Sequence, residues 1–135
     1  MVMKEPQLVT LPDLLDIQRE LQQREPIFHQ PKFAATRQQF DLMMDESFWE
    51  VGASGQRYSR QFVLDIVGSL GHDTDDDQWR CEGFNCRKIA PDNFLLTYTL
   101  HQGERVTRRA TLWRRTPSGW KVLYHQGTLV FNTSP

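Results

Sequence analysis

Hydrophobic residues recur with a helical period in the front half of the chain and with a strand-like period in the back half. Apolar residues fall at helical spacing over residues 11–21 and again over residues 62–70, with polar residues between them. A further helix is predicted over residues 33–44, because Pro26 and Pro31 separate this stretch from the first helix. The front of the chain is therefore expected to form three helices.

The starts of two of these helices carry capping signals. Thr10 precedes Pro12 and Asp13, so its hydroxyl is expected to cap the first helix. Ser59 is expected to cap the third helix, and Gly71 stands where a left-handed residue would end it.

Alternation of apolar and polar residues predicts the strands. A short strand is expected at residues 48–51, and four long ones at residues 79–89, 94–102, 105–115 and 120–131. Only short turns separate the last four, so they should form an antiparallel meander. The sequence thus predicts an α+β domain of 135 residues with a core at about residues 11–130, in which three N-terminal helices pack on a strongly curved antiparallel sheet.

Charge and composition exclude several classes of partner. Lys and Arg number 16 against 17 Asp and Glu, so the net charge is −1 and no pull toward nucleic acid or an anionic membrane is expected. The N-terminal residues include Lys4 and Glu5 and no apolar run long enough for a signal peptide or a membrane span. We therefore expect a cytoplasmic protein with two reduced cysteines, Cys81 and Cys86, whose odd spacing on one strand sends them to opposite faces.

Two stretches resemble a known family. Phe48-Trp49-Glu50-Val51-Gly52-Ala53-Ser54-Gly55, followed by Tyr58-Ser59-Arg60, resembles the turn and helix start of a SnoaL-like branch of unknown function within the nuclear transport factor 2-like superfamily. Thr111-Leu112-Trp113-Arg114-Arg115, with Gly119-Trp120-Lys121-Val122 and His125-Gln126-Gly127-Thr128, resembles the closing hairpin of that branch. The resemblance implies a cone-shaped fold with a ligand pocket and often a homodimer. Its members include enzymes and non-enzymatic proteins, so function has to be argued from the site.

The closing hairpin decides which side chains should face this pocket. A two-residue turn at Pro117-Ser118 pairs Trp113 with Val122 and, counting on without interruption, Arg109 with Gln126. On this register a single face, interpreted as concave, carries Trp113, Tyr124 and Gln126, and His125 points away from it. Trp113, Tyr124, Gln126, Arg109 and Trp49 are accordingly the predicted ligand-binding residues.

Glu50 and Tyr98 are the candidate catalytic residues. Glu50 could act as a general base whose pKa is raised by its apolar surroundings, or it could form a structural ion pair with Arg109. Tyr98 could donate a hydrogen bond to a ligand, or it could be a core tyrosine with one internal partner. The sequence leaves both choices open, and with them the question of whether the protein is an enzyme.

Two functions are consistent with these residues. The first is a pocket protein that binds a small, partly apolar organic ligand and can perform acid–base chemistry on it. The alternative is a partner-binding module, such as an immunity protein or a dimeric scaffold, that uses the convex sheet face. We expect no metal and no cofactor, because the four histidines lack partners at ligand spacing and no phosphate-binding loop is present.

Overall fold

The computed structural model describes residues 4–25, 37–69 and 79–131 of the chain. A single 3₁₀ turn, Pro12–Leu14, leads into the first helix. The helices are α1 (Leu15–Gln22), α2 (Arg37–Met43) and α3 (Arg60–Ser69), and the strands are β1 (Met44–Val51), β2 (Arg57–Ser59), β3 (Trp79–Ala90), β4 (Asn93–Gln102), β5 (Arg105–Thr116) and β6 (Gly119–Leu129). None of the helices in these ranges is long and apolar enough to cross a membrane.

The six strands form one mixed sheet in the order β2-β1-β6-β5-β4-β3. The predicted meander of the last four strands is confirmed, and so is the two-residue turn between β5 and β6. The prediction of a wholly antiparallel sheet is wrong, because β1 lies parallel to β6. A parallel neighbour needs a long connection, and here α3 and four strands separate the two.

The helix starts give one confirmed cap and one correction. Ser59 Oγ accepts a hydrogen bond from the backbone N–H of Phe62 at 3.1 Å, as a cap of α3 should. Thr10 makes no capping bond to the first helix. Its hydroxyl instead accepts the backbone N–H of Cys86 at 3.0 Å and so ties the start of the helix to β3. The predicted start of the second helix and Gly71 lie outside the described residues.

The core lies between the helices and one face of the sheet, called the inner face from here on. Leu21 of α1, Phe40 of α2 and Leu64 of α3 are buried against it. The sheet contributes alternate residues of its strands to the same cluster: Phe48, Cys86, Phe94, Leu96, Tyr98, Leu100, Trp113, Trp120 and Val122. The opposite side of the sheet is the outer face.

A β-bulge in β6 changes the face of every residue that follows it. Trp113 pairs with Val122 as predicted, but Leu112 pairs with Tyr124, so Leu123 is an extra residue in β6. Beyond this point the true partners of Thr111 and Arg109 are His125 and Gly127. The prediction from uninterrupted pairing was therefore wrong, and His125 lies on the inner face.

The same bulge moves Tyr124 and Gln126 to the outer face, contrary to prediction. Tyr124 pairs with Leu112 and Gln126 with Ala110, both of which alternate with inner-face residues of β5. A second bulge, at Gly83 and Phe84 of β3, brings Cys81 opposite Leu100 and Cys86 opposite Leu96. The two cysteines therefore share the inner face rather than opposite faces, and both are free thiols.

Candidate functional site

Glu25 is the centre of the polar groups on the inner face. Its side chain is 1% exposed and accepts three hydrogen bonds from sheet residues. Tyr98 donates its hydroxyl to Oε1 at 2.6 Å, Thr111 donates its hydroxyl to the same oxygen at 2.9 Å, and Trp113 donates Nε1–H to Oε2 at 2.7 Å. Burial raises the pKa of Glu25 to about 7, although the three donors act in the opposite direction.

Sequence reasoning missed Glu25 because its donors lie far away along the chain. They come from β4 and β5, more than seventy residues later. A local signal did exist: Leu14 and Leu21 are seven residues apart on the apolar stripe of the first helix, and Glu25 is four residues beyond Leu21. An acidic residue at the next position of an apolar stripe indicates a buried carboxyl with partners elsewhere.

His125 continues the hydrogen-bond chain from Glu25 toward the edge of the site. It is fully buried, and its Nδ1 lies 2.8 Å from Thr111 Oγ1. Its Nε2 lies 3.4 Å from Nη1 of Arg109. A guanidinium can only donate, so Nε2 accepts and Nδ1 carries the proton of a neutral imidazole. That tautomer donates to Thr111, whose own hydroxyl donates to Glu25.

The side chain of Arg109 packs on Gly127, its cross-strand neighbour on β6. A Cβ at position 127 would stand 2.8 Å from Nη1 and 3.0 Å from Cζ of Arg109, so only glycine leaves room for the guanidinium there. Nε–H donates to Thr107 Oγ1 at 2.9 Å. Burial lowers the pKa of Arg109, while the neighbouring hydroxyl of Tyr98 and the carboxyls of Glu50 and Glu25 raise it.

Glu50, on β1, is the second carboxyl of the inner-face site. It pairs with His125 across the parallel strands and is half-buried. Burial raises the pKa of Glu50 to about 7 and the charge of Arg109 lowers it, so the predicted direction of the shift is confirmed. The alternative, a Glu50–Arg109 ion pair, is absent from the ion pairs of the described residues, although the two charges interact electrostatically.

The remaining predicted site residues fall into two groups. Tyr98 and Trp113 lie on the inner face, both buried, with their donors bound to Glu25. Trp49 and Tyr124 meet on the outer face with ring centroids 4.8 Å apart, and the Tyr124 hydroxyl donates to Gln126 at 2.6 Å. The structure thus brings Glu50, Tyr98, Arg109 and Trp113 to one face and the other three to the opposite face, while the binding and catalytic roles of all seven stay predictions.

An open cleft of about 750 Å³ lies mainly along the outer face. It is lined by two cross-strand rows of three residues each and by N-terminal residues between positions 4 and 8. Gly83 and Phe84 of the β3 bulge also line it, and so do the inner-face residues Tyr98 and Arg109. The rows are Thr97, Ala110 and Gln126, and Thr99, Arg108 and Thr128. Arg108 donates to Thr99 Oγ1 at 2.6 Å and to Glu5 at 3.2 Å, which holds the N-terminal segment over the sheet.

The described ranges contain no group of three or more His, Cys, Asp or Glu side chains arranged to hold a metal ion. The side chains that converge on the inner face are a guanidinium, an imidazole, hydroxyls and two carboxyls that titrate near neutrality. Such a set can bind an organic molecule and can take up or release a proton.

Comparison with known proteins identifies the fold. No protein-family model and no curated protein matches the chain. Among solved structures, a cystatin-like fold protein from Burkholderia xenovorans matches with a TM-score of 0.66 at 11% identity, over 92% of this chain and 95% of that one. An NTF2-like protein of unknown function in nutrient uptake from Rhodospirillum rubrum matches with a TM-score of 0.61 at 14% identity, over 87% and 98%.

A candidate ketosteroid isomerase from Parabacteroides distasonis matches with a TM-score of 0.54 at 14% identity, over 71% of this chain and 76% of that one. Identities this low carry the fold and no residue roles. They confirm the predicted likeness of fold, while the SnoaL-like branch stays a prediction. The chain has the nuclear transport factor 2-like, cystatin-like fold.

Proposed function

We propose that the inner-face site binds a small, partly apolar organic molecule and that Glu50 accepts a proton from it. The observation that carries this proposal is the state of Glu50: a half-buried carboxyl with a pKa of about 7 that makes no hydrogen bond within the described ranges. A carboxyl that titrates near neutral pH is suited to general-base catalysis, because it is both ionised and basic enough to accept a proton.

The neighbours of Glu50 support the same chemistry. Phe48, two residues earlier on the same face, is buried, and Tyr58 lies opposite Glu50 on β2. Arg109 is close enough for its charge to act on Glu50, so it is placed to stabilise negative charge that develops on a substrate. The fold shared with a candidate ketosteroid isomerase agrees with acid–base chemistry, although the likeness reaches no residue level.

Binding at the inner face can be tested with a neutral aromatic probe, N-phenyl-1-naphthylamine, whose fluorescence rises in apolar sites. Cys81 is an exposed inner-face residue within the electrostatic range of Glu25 and Arg109, so Cys81→Trp should obstruct the site. Thr128→Trp, on the outer face and also exposed, is the matched control. We expect the first variant to lose probe binding and the second to keep it; the reverse result would place the ligand in the outer cleft.

Proton acceptance can be tested with 5-nitrobenzisoxazole, a general probe for a base in an apolar site. The base removes the proton on carbon, the N–O bond breaks, and a coloured cyanophenolate forms. We expect turnover to rise with pH through about 7, as Glu50 ionises, and to be lost in Glu50→Gln. Glu46→Gln, an exposed carboxyl on the same strand, is the control. Equal rates in both variants would rule out Glu50 as the base.

A second candidate function rests on the outer face. Trp49 is 44% exposed and stands edge-on to Tyr124, which leaves an aromatic pair on the sheet surface. Such a pair favours contact with a protein partner, and a homodimer is the partner that the family resemblance implies. Light scattering of the wild type and Trp49→Glu decides this point: a dimer that becomes a monomer in the variant supports the interface, and a monomeric wild type removes it.

A further inference from the structure

Arg109 holds hydrogen-bond donors that the protein itself does not use. A guanidinium has five N–H groups. One donates to Thr107 and one points to His125 Nε2, and the other three, including both on Nη2, have no acceptor among the residues that the structure describes. Two contacts therefore fix the position of the group while most of its donors stay open.

The charge of Arg109 is also unpaired by any carboxylate at contact distance within those residues. Glu25 and Glu50 act on it through space, but each has an environment that favours its neutral form below about pH 7. A half-buried cation without a direct counter-ion is costly, and proteins normally pair such a group or present it to a ligand. The positive charge of Arg109 on the inner face is therefore available to bind an anion.

The position of the guanidinium depends on Gly127 of the neighbouring strand, which has no side chain. Any side chain at position 127 would occupy the place that Nη1 and Cζ of Arg109 fill. Thr107 Oγ1 fixes Nε from one side and the buried His125 ring meets Nη1 from the other. The guanidinium is preorganised on a rigid sheet, so little conformational entropy is lost when it binds a ligand.

We infer that the inner-face site selects organic anions and that Arg109 binds the carboxylate or sulfonate group of the ligand. This inference rests on the proposed function and adds the charge of the ligand and the residue that recognises it. The apolar part of the ligand lies toward the aliphatic and aromatic inner face, and the anionic group lies on the open donors of Arg109. A planar guanidinium and an oxyanion are geometrically matched for two parallel hydrogen bonds.

Two probes with the same ring system separate charge recognition from apolar binding. The first, 8-anilino-1-naphthalenesulfonate, carries a sulfonate that N-phenyl-1-naphthylamine lacks. In Arg109→Gln we expect the sulfonate probe to bind at least tenfold more weakly, as the loss of a charge-assisted hydrogen bond implies, with the affinity for the neutral probe changed less than twofold. Arg108→Gln, its neighbour on the outer face, should leave both affinities unchanged.

Gly127→Ala gives an independent test that keeps the charge. The added methyl meets the end of the flexible Arg109 side chain rather than backbone, so the protein should fold while the guanidinium moves. We expect a loss of about tenfold for the sulfonate probe only. Unchanged sulfonate affinity in both Arg109→Gln and Gly127→Ala, or an equal loss in Arg108→Gln, overturns the inference and leaves neutral binding intact. If the wild type binds neither probe, the proposed function itself is wrong.

Discussion

The ionisation of Glu25 should make the protein less stable as the pH rises. Glu25 is 1% exposed, its pKa is raised by burial from 4.5 to about 7, and it is bound only to neutral donors. Replacing it by glutamine removes the ionisation and keeps the shape. The glutamine carbonyl can accept from Trp113 Nε1, and its NH₂ group can donate to the hydroxyl oxygens of Tyr98 and Thr111 once these rotate.

The magnitude follows from the difference between the folded and unfolded pKa values. The folded state binds the proton more tightly, so this contribution is fully present below the unfolded pKa and is lost as the pH rises through the folded one. With a pKa of 4.5 in the unfolded state and about 7 in the folded state, the free energy of unfolding falls by about 3 kcal/mol between pH 4.5 and pH 8. Three kcal/mol is a large part of the stability of a domain of this size.

Urea unfolding of the wild type and Glu25→Gln between pH 4.5 and 8 measures this contribution. We expect the free energy of unfolding of the wild type to fall more steeply with pH, by up to about 3 kcal/mol over the range. Glu50 titrates in the same window in both proteins, so the difference between the two curves isolates Glu25. Glu46→Gln, an exposed carboxyl, controls for loss of a charge. Parallel curves for the wild type and Glu25→Gln would refute a raised pKa at Glu25.

Three further substitutions test other parts of the structure by urea unfolding. Trp113→Phe removes the donor to Glu25 Oε2, so it should lower the free energy of unfolding by about 2 kcal/mol at pH 8. It should also raise the pKa of Glu25 further, which an NMR titration of the carboxyl groups would detect. Ser59→Ala should cost about 1 kcal/mol through loss of the cap of α3, whereas Ser118→Ala in the exposed β5–β6 turn should cost less. Thr10→Val should cost about 1 to 2 kcal/mol because the backbone N–H of Cys86 loses its acceptor, and a stability equal to that of the wild type would contradict this contact.

The sequence predicts the meander because the signals for it are local. Alternation in residues 94–102 and short turns such as Pro117-Ser118 depend only on neighbouring residues, and both are confirmed by the strand pairing. The parallel pairing of β1 with β6 was not predictable in the same way. It depends on how the chain returns after α3, and the sequence marks only residues 48–51 of the eight-residue β1, which is too little to show which neighbour the strand takes.

The inner-face cluster escaped prediction for two physical reasons. The position of Glu25 after Leu21 marks a buried carboxyl at most, and only the folded sheet brings its donors Tyr98, Thr111 and Trp113 to it. The bulge at Leu123 leaves no local mark, since a leucine fits either an inner or an outer position of a strand. Glu50 and Arg109 were named as candidates because a charged residue within an alternating strand is informative whichever face it takes, and their roles stay predictions.

The bulge at Leu123 links the register of β6 to the chemistry of the inner face. Without the extra residue, Gln126 would lie beside Arg109, and no glycine would leave space for the guanidinium. His125 would then face outward, and Thr111 would lose its contact with the imidazole. With the bulge, His125 and Gly127 are the inward residues of the His-Gln-Gly-Thr stretch, and they hold the guanidinium within electrostatic range of the carboxyls of Glu25 and Glu50. A single inserted residue therefore determines whether the guanidinium of Arg109 is held in place on the inner face or lies beside the amide of Gln126.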